Sequence, residues 1–400
     1  MSETALTLAR RARTNRGWWA AGVLIVLGLV YPFIVESLQE LPVIGDFVPR
    51  TGSMVVMIIV TMMALGLNVV VGYAGLLDLG YVAFYAAGAY AAGWLASLQF
   101  EDVSFHLFSG VSDDQPGIHI SVWLVLIVAG AFTAIVGILI GLPTLRLRGD
   151  YLAIVTLGFG EIVPQFVRNA DEQGIGFDLT NGTFGIAPID SIAVGGLVFR
   201  QESNKDDLYF WTAVGLLLFT VFCCIRLRDS RLGRAWIAIR EDETAAAAMG
   251  VPLMRTKTWS YAIGAFFGGV AGAFYASYRA GAFPADFFFN FSIFLLCMVI
   301  LGGMGSIWGV FAGGMILGYL NIEGLSTIGS KIQEGGLDFD PSKYQFGIYG
   351  FIIVAMMLFR PTGLIPERRH KIELEEGVRD TPFYDVQTEG TLTDREVADD

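Results

Sequence analysis

Charged side chains are scarce in this chain. Asp, Glu, Lys and Arg make up only 16% of its 400 residues, whereas an average soluble domain has about 25%. Hydrophobic residues reach 54%, and the mean hydropathy is +0.58. This balance excludes an ordinary soluble domain and indicates a chain built largely of membrane-spanning helices, each of which needs roughly 20 apolar residues.

Residues that carry chemistry are also few. The three cysteines, Cys223, Cys224 and Cys297, lie inside apolar runs without the spacing of a disulfide framework or a zinc site. The sequence contains no Gly-x-x-x-x-Gly-Lys-Ser/Thr phosphate loop, and no nucleophile stands beside a base. We therefore expect no enzymatic activity, no metal or cofactor, and no ATP hydrolysis by this chain itself.

Long apolar runs occupy most of the chain. They lie at 18–35, 53–71, 79–99, 120–141, 151–168, 208–225, 258–278, 292–301, 306–322 and 346–359. They predict an all-α polytopic membrane protein with about ten membrane segments, some of them broken or re-entrant. The membrane domain is expected over 18–366, between a short N-terminus (1–17) and an acidic, disordered tail (367–400).

Basic residues predict the orientation of the chain. They concentrate in four segments: 1–17, 145–149, 226–257 and 360–371. Cytoplasmic loops carry an excess of Lys and Arg, so these segments and both termini are expected in the cytoplasm. The loops expected outside are acidic or neutral: 36–49, 100–119, 169–207 and 323–345.

Two glycine-rich breaks interrupt the apolar runs, at 72–80 (GYAGLLDLG) and 302–306 (GGMGS). Irregular backbone at membrane depth is tolerated only where it is buried in protein or lines a cavity, and broken helices flank the path in many transporters. Lining a path and close packing both fit these breaks. For the small-residue runs 86–93 and 264–272 we expect close helix packing.

The breaks and their neighbours give a set of residues expected to line a translocation path. Asp78 is expected to cap the helix that begins near Leu79, and Asn68 to satisfy backbone groups freed by the break. The full set is Asn68, Asp78, Gly80, Phe84, Tyr85, Phe159, Glu161, Gly302, Gly303, Met304 and Gly305.

Five sequence blocks occur in a recognisable order. They are GYAGLLDLGYVAFYAAGAY (72–90), LPTLRLRGDYLAIVTLGFGEIV (142–163), DLTNGTFGI (178–186), GRAWIAIREDETAAAAMGV (233–251) and LGGMGSIWGVFAGG (301–314). They resemble the signature blocks of the permease subunits of ABC-type branched-chain amino-acid importers, the LivM type. The resemblance runs from roughly Thr51 to Pro366.

The resemblance implies an ABC importer permease fold in the cell membrane. It also implies three kinds of protein partner, namely a sister permease, two cytoplasmic ATPase subunits and an external substrate-binding protein, and none that is a nucleic acid. The apolar side chains of the expected path, with Met298, would suit leucine, isoleucine or valine. Urea and short-amide permeases share the architecture and remain an alternative.

The loop 226–257 is expected to couple the chain to the ATPase subunits. Asp242 can cap a helix, Ala245–Ala248 favour one, and Gly250 suits its left-handed end. A short rigid helix of this kind could enter a groove on a partner, with Trp236 and Trp259 at the membrane interface.

ABC permeases more generally carry a Glu-Ala-Ala-x-x-x-Gly pattern in this loop. Ala245, Ala246 and Gly250 fit that pattern, while Thr244 stands where glutamate is usual. The residues expected to couple are Arg234, Arg240, Glu241, Asp242, Glu243, Ala245, Ala246 and Gly250.

Glu161 lies in the middle of an apolar helix, where a carboxylate is costly and indicates function by default. It could pair with the ammonium group of an amino-acid substrate. It could instead bond to a neighbouring helix, or accept N–H bonds from the break at 72–80. It could also lie close to the outer surface, since Pro164 and Arg168 follow closely. An ion-coupled carrier, an alternative of a different class, would need paired carboxylates in the membrane, and Glu161 is an isolated candidate.

The net charge of −12 is concentrated in loops and in the tail. Such surfaces remain hydrated at high salt, which suggests a halophilic source such as a halophilic archaeon. An ordinary acidic tail with solvated loops explains the same charge.

Overall fold

The computed structural model describes residues 28–40, 45–101, 103–108, 115–147, 149–194, 197–335 and 339–366. The predicted N-terminal segment 1–17 and the acidic tail 367–400 lie outside the described residues. Most of the described chain is helical, as the hydropathy pattern predicts.

Fourteen helices are described, with α1 covering 28–39. The others are α2 (Thr51–Asn68), α3 (Val82–Leu95), α4 (Val122–Thr144), α5 (Asp150–Asn169), α6 (Glu172–Ile175), α7 (Lys205–Asp229), α8 (Arg231–Glu241), α9 (Glu243–Ala248), α10 (Leu253–Arg279), α11 (Phe289–Gly302), α12 (Ile307–Tyr319), α13 (Leu325–Glu334) and α14 (Gln345–Phe359). π-helical turns at Val69–Tyr73 and Leu320–Gly324 extend α2 and join α12 to α13.

Six described helical segments are long and apolar enough to cross a membrane. They are Gly45–Tyr73, Val122–Thr144, Asp150–Asn169, Lys205–Asp229, Pro284–Gly302 and Pro341–Phe359. Helix α3 is apolar but has only 14 residues, and α10, with 27, is too rich in glycine and polar residues to count by hydropathy. A polytopic helical protein is therefore confirmed, and the number of about ten segments stays a prediction.

Helix α10 lies at the centre of the bundle, packed by α2, α3 and α4. Its glycines allow backbones to touch. A Cβ built on Gly269 would lie 1.9 Å from the Thr133 hydroxyl, and one on Gly272 would lie 2.2 Å from the Tyr85 carbonyl oxygen. The packing role expected for run 264–272 matches this geometry, since small residues permit such close approach.

One end of the bundle carries two small sheets that the sequence reasoning did not predict. Strand β3 (Ile118–Ile120) pairs antiparallel with β1 (Ala96–Ser97) and parallel with β2 (Phe105–Leu107). A hairpin of β4 (Ala193–Val194) and β5 (Leu197–Val198) lies nearby in the chain. This end, which we call the sheet end, holds the described parts of the loops predicted to be external.

The opposite end, which we call the basic end, comprises 145–147, 149, 230–252, 303–306 and 360–366. At this end Arg240 binds Gly72 at the end of α2, and Leu364 binds Leu301 at the end of α11. The described parts of the basic segments 226–257 and 360–371 are therefore connected at this end through the two breaks.

Candidate functional site

The Ala-rich helix predicted between Asp242 and Gly250 is α9, and helix α8 precedes it, with Asp242 in extended conformation between the two. Its carboxylate accepts the N–H groups of Thr244 and Ala245 at 2.7 and 3.0 Å. The bonds from Ala245 and then Thr244 lower the pKa of Asp242. Gly250 follows α9 with φ of +84°. The predicted cap and left-handed terminus are both present.

The α8–α9 pair is fixed to α10. Trp236 is fully buried, and its ring N–H donates to the Thr256 carbonyl at 2.8 Å. Lys257, only 4% exposed, pairs with Glu243 at 2.8 Å. Trp236 is thus an internal anchor, which corrects its expected place at the membrane interface.

The outer surface of α9 is small and smooth. Ala245, Ala247 and Ala248 are exposed, and Met249 beside them is 85% exposed. Ala246 is buried, which removes it from the residues able to contact a partner directly. Arg234, Glu241 and Gly250 are exposed at the same end.

Arg240 reaches from α8 into the first break. Its Nη1 donates to the Gly72 carbonyl at 2.6 Å, at the end of the π-helical turn. Its stem covers Gly75, where an added Cβ would lie 2.6 Å from Arg240 Cγ and where φ is +68°. Arg240 therefore joins the α8–α9 pair to the broken segment of the membrane domain.

Asn68 joins the first break to the second. It is buried, and its Oδ1 accepts the N–H of Gly305 at 2.9 Å. Gly303 and Gly305 have φ of +112° and +85°, a conformation that glycine adopts readily. The expectation that Asn68 satisfies a backbone group freed at a break is confirmed, although the group belongs to the other break.

The segment 360–366 forms hydrogen bonds with the residues at the second break, a contact that the sequence did not predict. The N–H groups of Leu364 and Ile365 donate to the carbonyls of Leu301 and Gly302 at 2.9 and 3.1 Å. An added Cβ at Gly302 would lie 2.4 Å from the Gly309 carbonyl oxygen. Gly302 and Gly303 thus pack against backbone in this conformation, whereas Met304 is 50% exposed.

The first break is held at its far end by two hydroxyl groups. Leu79 N–H donates to Thr156 Oγ1 at 3.0 Å, and Val82 N–H donates to Ser292 Oγ at 2.9 Å. Neither hydroxyl residue was predicted. Hydroxyl side chains inside apolar helices, which bond across helix interfaces, are the signal that could have indicated them.

Asp78 stabilises the turn before α3. Its Oδ1 accepts the N–H of Gly80 at 2.9 Å, and α3 begins at Val82. The expected cap of a helix near Leu79 is corrected accordingly. At Gly80 an added Cβ would lie 2.2 Å from the Thr156 carbonyl oxygen, so this glycine permits close contact with α5.

Phe84 and Tyr85 are 2% and 3% exposed, and Met298 is fully buried. Tyr85 packs against Phe287 and Phe291, with ring centroids 5.2 and 5.6 Å away. These side chains form the core of the chain itself. In this conformation they are buried and do not line a path, contrary to the expectation from the sequence.

Glu161 and Phe159 lie away from that core. Phe159 is half-buried, and Glu161 is exposed on α5. Thr156, and not Glu161, accepts the N–H bond from the break, so the interpretation of Glu161 as an acceptor for the break is not supported. Within the described ranges, no group of three or more His, Cys, Asp or Glu is arranged to hold a metal ion.

Comparison with known proteins gives the family. The model of the branched-chain amino acid transport system / permease component family matches residues 50–359. The chain belongs to this family. It is therefore a permease component and a multi-pass membrane protein, and the resemblance drawn from the five sequence blocks is confirmed.

Individual relatives agree. The chain is 35% identical over 373 residues to the high-affinity branched-chain amino acid transport system permease protein LivM of Escherichia coli (strain K12), covering 88% of this chain and 76% of that protein. It is 26% identical over 327 residues to a probable LivM of Methanocaldococcus jannaschii, covering 76% and 90%. LivH of E. coli K12 is 28% identical over 158 residues, covering 40% and 46%. No solved structure matches the chain significantly.

Proposed function

We propose that this permease forms the membrane channel of a branched-chain amino-acid importer together with a sister permease. An external binding protein delivers the substrate, and two cytoplasmic ATPase subunits supply the energy. The names of the relatives support this substrate over urea or short amides. Two different E. coli permeases, LivM and LivH, both match the chain, which supports pairing between related permeases.

The bond between Arg240 and the Gly72 carbonyl carries the proposal. A permease driven by separate ATPases needs a rigid part that passes force into the membrane domain. Helix α9 presents a small surface for a partner, and the Glu243–Lys257 pair fixes α9 to α10. Movement of helices α8 and α9 would then act through Arg240 on the end of α2.

The two breaks extend this connection across the basic end. A displaced Gly72 moves the π-helical turn that follows Asn68, and Asn68 binds Gly305. π-helical turns are frequent at functional sites, and packed elements shift between discrete arrangements rather than bending continuously. We propose that both breaks re-pack together as the permease alternates between outward-open and inward-open states.

Sidedness follows from the same assignment. The basic end and both termini face the cytoplasm in the cell membrane. The sheet end then faces the binding protein, with the exposed rings of Phe177 and Phe184 as contact points. Exposed aromatic side chains are frequent anchors at protein interfaces.

The decisive experiment compares Arg240→Gln with Arg228→Gln in the complete importer reconstituted in liposomes. Arg228 is an arginine in the last turn of α7, next to the basic end, and among the described residues its ion pair joins only the adjacent Asp229. With Arg240→Gln we expect leucine uptake to fall at least about tenfold, because a charged hydrogen bond of this kind is lost, while ATP hydrolysis continues. Unchanged uptake in Arg240→Gln would contradict the proposal, as would an equal loss in both variants.

A further inference from the structure

Helix α5 has a polar line on a face that no described part of the chain covers. Glu161, Gln165 and Asn169 follow one another at intervals of four residues, which places them along one side of the helix. All three are exposed. We call these three residues the polar lane.

The polar lane occupies only half of its face. It runs from the sheet end of α5 to Glu161, whereas the exposed residues between Asp150, at the start of the helix, and Glu161 are Tyr151, Ile154 and Leu157. The buried face of the same helix, including Thr156 and Gly160, packs against the first break. The lane therefore ends at the depth where α5 meets that break.

The Glu161 carboxylate has no hydrogen-bond or ion-pair partner among the described residues. A charged group on a membrane helix faces lipid only at high cost, and such residues normally face a bundle interior or a water-filled cavity. The exposed face of α4 shows the contrast, because its residues Ile127, Ile135 and Leu139 are apolar. The α4 face suits lipid, and the polar lane does not.

The shape and chemistry beside the lane suit one class of ligand. Glu161, Gln165 and Asn169 line a shallow groove of about 480 Å³ together with Ile162, Phe166 and Gly174. A carboxylate can pair with an ammonium group, side-chain amides can bond a ligand carboxylate, and the apolar neighbours can contact an aliphatic side chain. A zwitterionic amino acid with an apolar side chain offers all three.

We infer that the polar lane forms one wall of the outer half of the substrate path, facing the sister permease, and that Glu161 binds the ammonium group of the amino acid where that half ends. The inference rests on the proposed function, because it assumes an importer of amino acids. It adds the position of the path on this chain and a residue that recognises substrate.

The first test asks whether water reaches the lane. Gln165→Cys and, as a control, Ile135→Cys are introduced after Cys223, Cys224 and Cys297 are replaced by serine or alanine in a functional importer. A membrane-impermeant charged thiol reagent is then added from outside. We expect Gln165→Cys to react at least about tenfold faster than Ile135→Cys, because the hydrocarbon around a lipid-facing thiol excludes charged reagents. We also expect leucine-loaded binding protein to slow the reaction of Gln165→Cys. Equal reactivity at both positions would overturn the inference.

The second test asks whether the charge of Glu161 matters for transport. Glu161→Gln should lower leucine uptake about tenfold, since it removes an ionic hydrogen bond, and Glu161→Asp should restore part of it. Loaded binding protein should still stimulate ATP hydrolysis in both variants, which a misfolded permease would not allow. Normal uptake in Glu161→Gln overturns the role of Glu161 while the proposed function stands. A wild-type importer that moves no branched-chain amino acid overturns the proposed function itself.

Discussion

The basic end and the polar lane of α5 differ in whether their polar groups find hydrogen-bond partners within this chain. At the basic end, Arg240 binds Gly72 and Asn68 binds Gly305, so that these polar groups beside the two breaks have partners within this chain. The Oδ2 atom of Asp78, buried in the first break, has none among the described residues. Along the lane, the Glu161 carboxylate has none among the described residues. The difference separates polar groups that hold this fold together from polar groups left for another molecule.

This contrast has a physical basis. A buried polar group without a partner costs stability, so polar groups in a folded interior are nearly always bonded. A polar group that remains unpaired on a membrane helix must meet water, a ligand or another subunit. The breaks, for which the sequence leaves path lining and close packing both open, pack mostly within the chain in this conformation. The exposed carboxylate is the stronger functional candidate.

The largest effect on transport is expected from Gly250→Pro, at the basic end. Gly250 has φ of +84°, and its N–H donates to the Ala247 carbonyl at 3.0 Å. Proline holds φ near −65° and has no N–H, so it cannot reproduce this terminus. Uptake should be lost while ATP hydrolysis and membrane insertion persist, as measured in reconstituted importer and by membrane yield. Full uptake would remove α9 from the coupling role.

Glycine substitutions at the second break and on α5 should differ in their effect on thermal stability. A methyl group at Gly302 would lie 2.4 and 2.5 Å from the Gly309 carbonyl oxygen and carbon, and overpacking against backbone costs about 3 kcal/mol. Gly302→Ala should therefore lower the midpoint of thermal unfolding in detergent. Gly158→Ala on α5 is the matched control, because nothing lies within 4 Å of its Cβ position. Similar midpoints for both variants would contradict the close packing at the second break.

Substitutions on the buried face and on the exposed face of α5 should also differ in their effect on thermal stability. Thr156→Val removes the acceptor of the Leu79 N–H, and leaving a buried donor unpaired costs about 1–3 kcal/mol. Thr156→Ser keeps the acceptor and should stay near wild type, and Glu161→Gln should leave thermal stability unchanged. A greater loss of stability from Glu161→Gln than from Thr156→Val would reverse the roles assigned to the two faces.

The smallest effect concerns the pH dependence of α9. Bonds from the N–H groups of Ala245 and Thr244 lower the pKa of Asp242 from its ordinary value of 3.8. The cap is therefore fully present above that value, and its contribution is lost as the pH falls through the lower folded pKa. Hydrogen exchange of these two amides should lose protection only in acid. Asp242→Asn keeps a capping oxygen and should remove this dependence; an unchanged profile would assign it to another group.

Local features of the fold were predictable. Long apolar runs indicated helices, and Asp242 and Gly250 marked the two ends of α9, because capping depends on neighbours within a few residues. Thr156, Ser292 and segment 360–366 escaped prediction. Each bonds to a part of the chain that is distant in sequence, and in a single sequence no short-range pattern records such a contact.

The candidate site shows the same division. Glu161 was recognisable as costly in an apolar helix, yet its alternative interpretations could not be separated while its orientation was unknown. Phe84 and Tyr85 looked equally suitable for a path, and the structure places both in the core. Burial depends on which helices surround a residue, so an apolar sequence alone does not distinguish a path from a core.

The sequence by itself determined that this protein is a helical membrane permease and where its helices break, because hydropathy, length and glycine content act over neighbouring residues. Only the tertiary structure decided that Arg240 reaches Gly72, 168 positions away, and that Glu161 faces outward. Both depend on how α5, α8 and the end of α2 pack in three dimensions, where residues far apart in the chain become neighbours.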